Sequence, residues 1–200
     1  MTKGKTRSDL LKRGSRGMLV AAALVLAISV MGCESITKST VSASPGVQEL
    51  QPRVYAILPI EVQATPTDQG WAEVEPQGAE TISSMMTAKL TGLLPVVVDR
   101  GRVNEVLEEI QFQTLSGLTV DDRSKIGGIL NADAIVSIYL GEYNASRVSI
   151  AATATHVETG AVLWSGDVTA KTGWISLDTE STAERAVDNF ASELEKDLSQ

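Results

Sequence analysis

The stretch Ile126-Gly127-Gly128-Ile129-Leu130-Asn131-Ala132-Asp133-Ala134-Ile135-Val136-Ser137-Ile138-Tyr139 decides the fold, because in it a helix ends and a strand begins with almost no connection. Ile126, Ile129 and Leu130 recur at spacings of three and four, which places them on one helical face. Asn131 then stands where a left-handed residue closes the last turn, a conformation that Asn tolerates. From Ala134 to Tyr139 the chain is a short apolar run rich in Ile and Val, long enough for a buried strand and too short for an independent helix. It reads as the central strand of a mixed sheet.

The surrounding composition suits one globular domain with an extra segment. Of 200 residues, 43% are hydrophobic and 21% charged, enough for a sizeable core. The net charge of -8 conceals an asymmetry. Lys3, Lys5, Arg7, Lys12, Arg13 and Arg16 precede Met18 with only Asp9 against them. From Cys33 onward, 11 of the 17 bases face 24 of the 25 acids, a net charge of -13. Such a surface repels phosphate backbones, and no basic stripe with interleaved aromatics offsets it, so nucleic-acid binding is not expected.

Behind the basic head, Met18 to Val30 is a continuous apolar run of signal-peptide length, short of the ~20 residues that cross a bilayer. Residues 1–32 are therefore expected to be a removed signal. Val30-Met31-Gly32-Cys33 follows, and it resembles the lipobox of bacterial lipoproteins. That resemblance implies a thioether-linked diacylglycerol and an amide-linked acyl chain, of the palmitate kind, on Cys33. Several acyl chains anchor stably where one binds marginally. An uncleaved anchor and an ordinary signal peptide with a chance cysteine are the alternatives. Against them stands the placement of the chain's single cysteine directly after the apolar run. Met31 is larger than the residue usual there, and Glu34 is not the Asp that retains lipoproteins in the inner membrane, which leans toward the outer membrane. Residues 33–52, rich in Ser, Thr, Ala and Gln with Pro45 and Pro52, read as a flexible tether of about 25 Å.

The folded domain is expected over 53–200. Arg53 to Ile60 reads as a first strand and Glu61 to Val74 as a loop, with Trp71 either exposed for contact or, by preference, covering a sheet edge. Pro76 to Leu93 is a helix with Ala79, Ile82, Met86, Leu90 and Leu93 inward. Met85-Met86 is core filling before it is a sticky groove. Pro95 to Val98 is a strand, Asp99 caps a helix carrying Val103, Val106, Leu107 and Ile110, and Gln111 to Leu118 is a polar connector. Asp121 or Asp122 opens the next helix. Arg147 to Val157 alternates Val148, Ile150, Ala152 and Ala154 on one face, then turns at Glu158-Thr159-Gly160 into Ala161 to Ala170, with Val162, Trp164 and Val168 on one side. Thr179 to Leu198 is an amphipathic helix whose stripe of Ala183, Val187, Phe190, Ala191, Leu194 and Leu198 is expected to dock on its own domain. The sum is a three-layer α/β domain, a mixed sheet of four or five strands flanked by helices.

Several of these blocks carry a resemblance. Val96-Val97-Val98-Asp99-Arg100, Val106-Leu107-Glu108-Glu109, Ser116-Gly117-Leu118, Ile126 to Val136 and Val157 to Gly166 together resemble the curli production assembly/transport component family, CsgG, over most of Arg53 to Gly166. Lipoprotein activators of penicillin-binding proteins share the domain type. The resemblance implies an envelope assembly or secretion accessory protein, an activator of a peptidoglycan synthase, or a subunit of a curli-type pore. A pore subunit needs spanning hairpins with strands of roughly 9–11 alternating residues. Glu61 to Val74, interrupted by proline and carrying Asp68, Glu73 and Glu75, offers no lipid-facing row. A lipid-anchored periplasmic domain that forms no pore is the expectation, with a protein partner or self-association.

Little in the chain suggests chemistry. His156 is the only histidine, so a His-rich metal site is impossible, and without a Gly-x-Ser-x-Gly elbow it reads as a solvated strand position. Gly127-Gly128 lies inside a helix and is no dinucleotide fingerprint. Glu108-Glu109 and Asp121-Asp122 are the solvent face of an acidic chain. Asn144-Ala145-Ser146 fits a glycosylation acceptor that means little in a bacterial lipoprotein. No enzyme activity, cofactor or metal is expected.

Overall fold

A computed structural model describes residues 36–63, 65–67, 70–72, 76–110, 119–144, 146–171 and 178–199. Their elements run β1 (Ile36–Ala43), α1 (Gly46–Leu50), β2 (Val54–Ile57), β3 (Glu61–Val62), β4 (Thr65–Thr67), β5 (Gly70–Ala72), α2 (Pro76–Leu93) and β6 (Val96–Val97). Then follow α3 (Arg100–Glu109), α4 (Val120–Leu130), β7 (Ala134–Asn144), β8 (Arg147–His156), β9 (Val162–Lys171) and α5 (Thr179–Leu198). The sheet has the order β1-β9-β8-β7-β2-β6, with β3 adding to β7, and β4-β5 form a separate hairpin. β7 is the pivot of this mixed sheet. It pairs antiparallel with β8 on one side and parallel with β2 and β3 on the other.

Two cores follow from the two faces. Beneath one face, Ile82, Met86 and Leu90 of α2 and Ala183, Val187, Phe190 and Leu194 of α5 pack on Val136, Ile138, Leu140, Ile150, Trp164 and Val168. Phe190 meets Trp164 edge to face, with ring centroids 6.2 Å apart. Full burial of side chains of this size stabilises by roughly 1.5–3 kcal/mol each, so the apolar stripe holds α5. The Lys89–Asp188 ion pair between α2 and α5 is exposed and adds little beside it. The expected docking of the last helix on its own domain is what the structure has. On the other face, Val103, Val106 and Leu107 of α3 and Ile126 and Leu130 of α4 cover Ala56, Leu58 and Ile135. Helices on both faces make three layers.

Several sequence expectations are corrected. The sheet has seven strands, more than the four or five expected. The tether expected over 33–52 is interrupted, because β1 pairs with β9 along its length and α1 follows. Its Ser and Thr composition hides a strand that needs only backbone bonds to β9 and one buried anchor, Val41. The segment expected as a loop from Glu61 carries β3, β4 and β5, with the Gln63 N–H donating to the Leu140 carbonyl. β7 runs on past Tyr139 to Asn144, whose side-chain oxygen accepts from the Ser146 and Arg147 N–H groups and so makes the turn into β8. Ile129 is exposed, since Ile126 and Leu130 already fill the inward row. Val162 is also exposed, because a register shift between Ala154 and Thr155 turns both Leu163 and Trp164 inward. Cys33, the connector 111–118, Trp174 and Ile175, and the Trp71 side chain lie outside the described residues.

Local chemistry accounts for the helix ends. Asp99 accepts from the Gly101 and Arg102 N–H groups at the start of α3. Thr119 and Asp122 form a reciprocal capping box at the start of α4, and the Thr119 hydrogen bonds hold the Asp122 carboxyl below its ordinary range. Asn131 ends α4 at φ 50°, as its sequence position predicts.

Candidate binding cleft

The end of α4 delivers the chain to the lower end of the sheet, where β2 and β7 begin and β8 ends. Behind Asn131, the Ala132 N–H donates to the Gly127 carbonyl and turns the chain sharply into β7. Gly127 is needed there: a Cβ at this position would run into the Val157 methyls. The tight passage sets Asp133 beside β2, and its carboxylate accepts the N–H groups of Val54 (2.9 Å) and Arg53 (2.8 Å). The Asp133 backbone joins both neighbouring strands, its N–H donating to the Val54 carbonyl and its carbonyl accepting from Val157. These two backbone donors hold the Asp133 carboxyl below its ordinary range, with His156 and Arg53 adding to the effect. Nearby, burial pushes the Tyr55 hydroxyl up to about 12, helped by the Asp133 charge.

His156 is buried, not solvated as the sequence suggested, because the alternation of β8 turns it inward with Val148, Ile150, Ala152 and Ala154. Its Nδ1 lies 3.4 Å from the Thr159 N–H, which donates to it, and 3.2 Å from the Thr159 hydroxyl. Gly160, at φ 68°, completes the turn. Arg53, Asp133, His156, Glu158, Asn131 and Ser124 all border a cleft of about 580 Å³ at this end.

A serine, the histidine and an aspartate thus share a cleft, yet not as a triad. The carboxylate of a triad must grip the imidazole through Nδ1, and here Thr159 occupies that atom while Asp133 is spent on backbone N–H groups. The cleft offers polar groups for binding and no activated nucleophile. Among the described residues, no group of three His, Cys, Asp or Glu side chains is placed to hold a metal ion. Glu108 and Asp121 are exposed, as an acidic solvent face requires. Met86 is fully buried in the core and Met85 partly so, which is the filling role expected.

A second feature is one that sequence reasoning missed. α3 and α4 contribute to the core over the β6-β2-β7 half of their face. Across β8, β9 and β1 the same face presents Ser149, Ala151, Thr153 and Thr155, then Ser165, Asp167 and Thr169, then Lys38, Thr40 and Ser42, all partly or fully exposed. Lys38 and Asp167 pair across it at 2.8 Å. The alternation of small polar residues opposite Val148, Ile150, Ala152 and Ala154 was its signal. β1 forms the edge of the sheet beyond β9.

Neither a protein-family model nor a curated protein sequence matches the chain. Solved structures do share its fold. The lipoprotein GNA1162 from Neisseria meningitidis superposes with a TM-score of 0.54 at 16% identity, over 74% of this chain and 98% of that one. A PelC dodecamer from Paraburkholderia phytofirmans gives 0.50 at 17% identity, over 79% and 97%. The C-terminal domain of LpoB from Escherichia coli gives 0.44 at 12% identity, over 66% and 96%. The class thus defined is a mixed-sheet α/β domain with helices on both faces, a fold shared with GNA1162 and PelC. Identities this low establish the fold alone.

Proposed function

We propose that the protein is a lipid-anchored binding module of the bacterial cell envelope, held through Cys33 after removal of residues 1–32, which acts by contact and transforms no substrate. The observation that carries this reading is the sheet itself. Its outer face over β8, β9 and β1 is built mostly of small polar side chains and ends at β1, which pairs with no further described strand, while the cleft of Asp133 and His156 lacks an activated nucleophile. A polar sheet face that ends in an edge strand suits recognition of another protein. The likeness in fold to a lipoprotein and to a subunit of a dodecamer supports an envelope location and a protein partner, which includes another copy of this chain.

A pore subunit fits less well. β7, β8 and β9 are long enough to span a membrane as strands, but one row of each is buried beneath α2 and α5 and the other carries Ser, Thr and Asp. No described helix is long and apolar enough to cross a membrane. The test is photo-crosslinking in cells with a reactive group at Thr153 of the full chain. Capture of an envelope protein or of a second copy is expected. A wall synthase in the adduct would refine the role to synthase activation, and a curli-like subunit would refine it to secretion. No adduct from Thr153, with reactive groups at Thr40 and Ser165 equally silent, would contradict the reading.

A further inference from the structure

Only Glu34 and Ser35 separate Cys33 from Ile36, where β1 begins. Fully extended, that connection reaches about 11 Å. The register fixes which end of the sheet this short connection meets. Ile36 lies opposite Ala170, Ala170 opposite Val148, and Arg147 opposite both Lys171 and Asn144. This end bears a hollow of about 330 Å³ bordered by Glu142, Asn144, Ser146, Arg147 and Lys171, two cations against one carboxylate. At the other end, some 30 Å away along the ten residues of β8, Arg53 in the cleft faces Asp133 and Glu158.

We infer that the Asn144–Arg147 end of the sheet lies against lipid headgroups, so that the cleft of Arg53, Asp133 and His156 opens away from the bilayer. The inference rests on acylation of Cys33. It assigns the domain a fixed attitude where a long tether would have let it swing.

The experiment uses the processed, acylated full chain in vesicles of phosphatidylethanolamine and phosphatidylglycerol that carry a headgroup quencher. Because acylation blocks Cys33, the variants Ser146→Cys and Glu158→Cys each accept one fluorophore at an exposed position on opposite ends. Quenching is expected to be at least about three-fold stronger at 146 than at 158, as the 30 Å separation requires. Inserting twelve Gly and Ser residues between Glu34 and Ser35 should shrink that contrast while flotation with the vesicles persists. Equal or reversed quenching in floating protein would overturn the orientation and leave the anchor standing. A contrast unchanged by the insertion would overturn the role given to the short connection. Protein that fails to float, with a free thiol at Cys33, would remove the anchor and the orientation together.

Discussion

Asn131 and Asp133 do the decisive work at the junction that organises the sheet. Asn131 holds φ 50°, a conformation that costs a β-branched residue roughly 1–2 kcal/mol and glycine nothing. Asn131→Val should therefore lower stability by about that amount, and Asn131→Gly should be neutral or slightly stabilising, as read from urea midpoints. Asp133 is the stronger test. Its carboxylate accepts two backbone N–H groups, so Asp133→Asn should cost about 1 kcal/mol at pH 7. The folded-state pKa lies below the ordinary 3.8, so this stabilisation is complete above that value and fades as pH falls through the folded one. The difference between the two proteins should accordingly be full at pH 7 and much smaller around pH 2. An unchanged difference would contradict the assigned bonds. Asn131 and Asp99 were legible in the sequence because a cap acts on residues within one turn. Asp133 was not: its acceptor contacts join residues 80 and 79 positions apart.

Edge strand β1 shows why an element can escape sequence reading. Periodicity detects strands by apolar alternation, and Ile36-Thr37-Lys38-Ser39-Thr40-Val41-Ser42-Ala43 has almost none, since among its described side chains only Val41 is buried, with the small Ala43 partly packed beside it. What admits Val41 is a vacancy on the neighbouring strand. A Cβ at Gly166 would stand 2.6 Å from a Val41 methyl and 3.0 Å from the Thr40 carbonyl. Gly166→Val should therefore push β1 off the sheet, costing about 1–3 kcal/mol in a urea melt and removing amide-exchange protection from Thr40 to Ala43. Gly92→Ala, where nothing lies within 4 Å of the added atom, should leave stability unchanged or raised by up to about 1 kcal/mol. If Gly166→Val behaved like Gly92→Ala, β1 would not belong to the sheet. The helices and the β8-β9 hairpin, by contrast, were legible, because a buried stripe or a Gly-centred turn writes itself locally. The same limit concealed β3, a two-residue strand that exists only because β7 is long enough to receive it.

For the molecule as a whole, strand direction and anchorage constrain assembly. With the proposed anchor at Cys33, two copies pairing their β1 edges antiparallel about a two-fold axis would point one Ile36 away from the bilayer. Copies on one membrane are restricted to arrangements that keep the β7-β8 turn of each on the same side, such as a ring about the membrane normal. Vesicle-bound copies that carry both Lys38→Cys and Ser42→Cys should accordingly give no intermolecular crosslink between positions 38 and 42. The chemical part of the function was legible only as an absence of catalytic patterns, and the cleft could not be foreseen because Ser124, Asp133 and His156 come from three separate elements. The proposed envelope role and orientation depend on the anchor. The most direct measurement is the mass of the N-terminal peptide of the protein extracted from membranes: a fragment beginning at Cys33 and carrying a diacylglycerol plus an amide-linked acyl chain is predicted, and a chain with residues 1–32 still attached, or a Cys33 bearing a free thiol, would contradict the account.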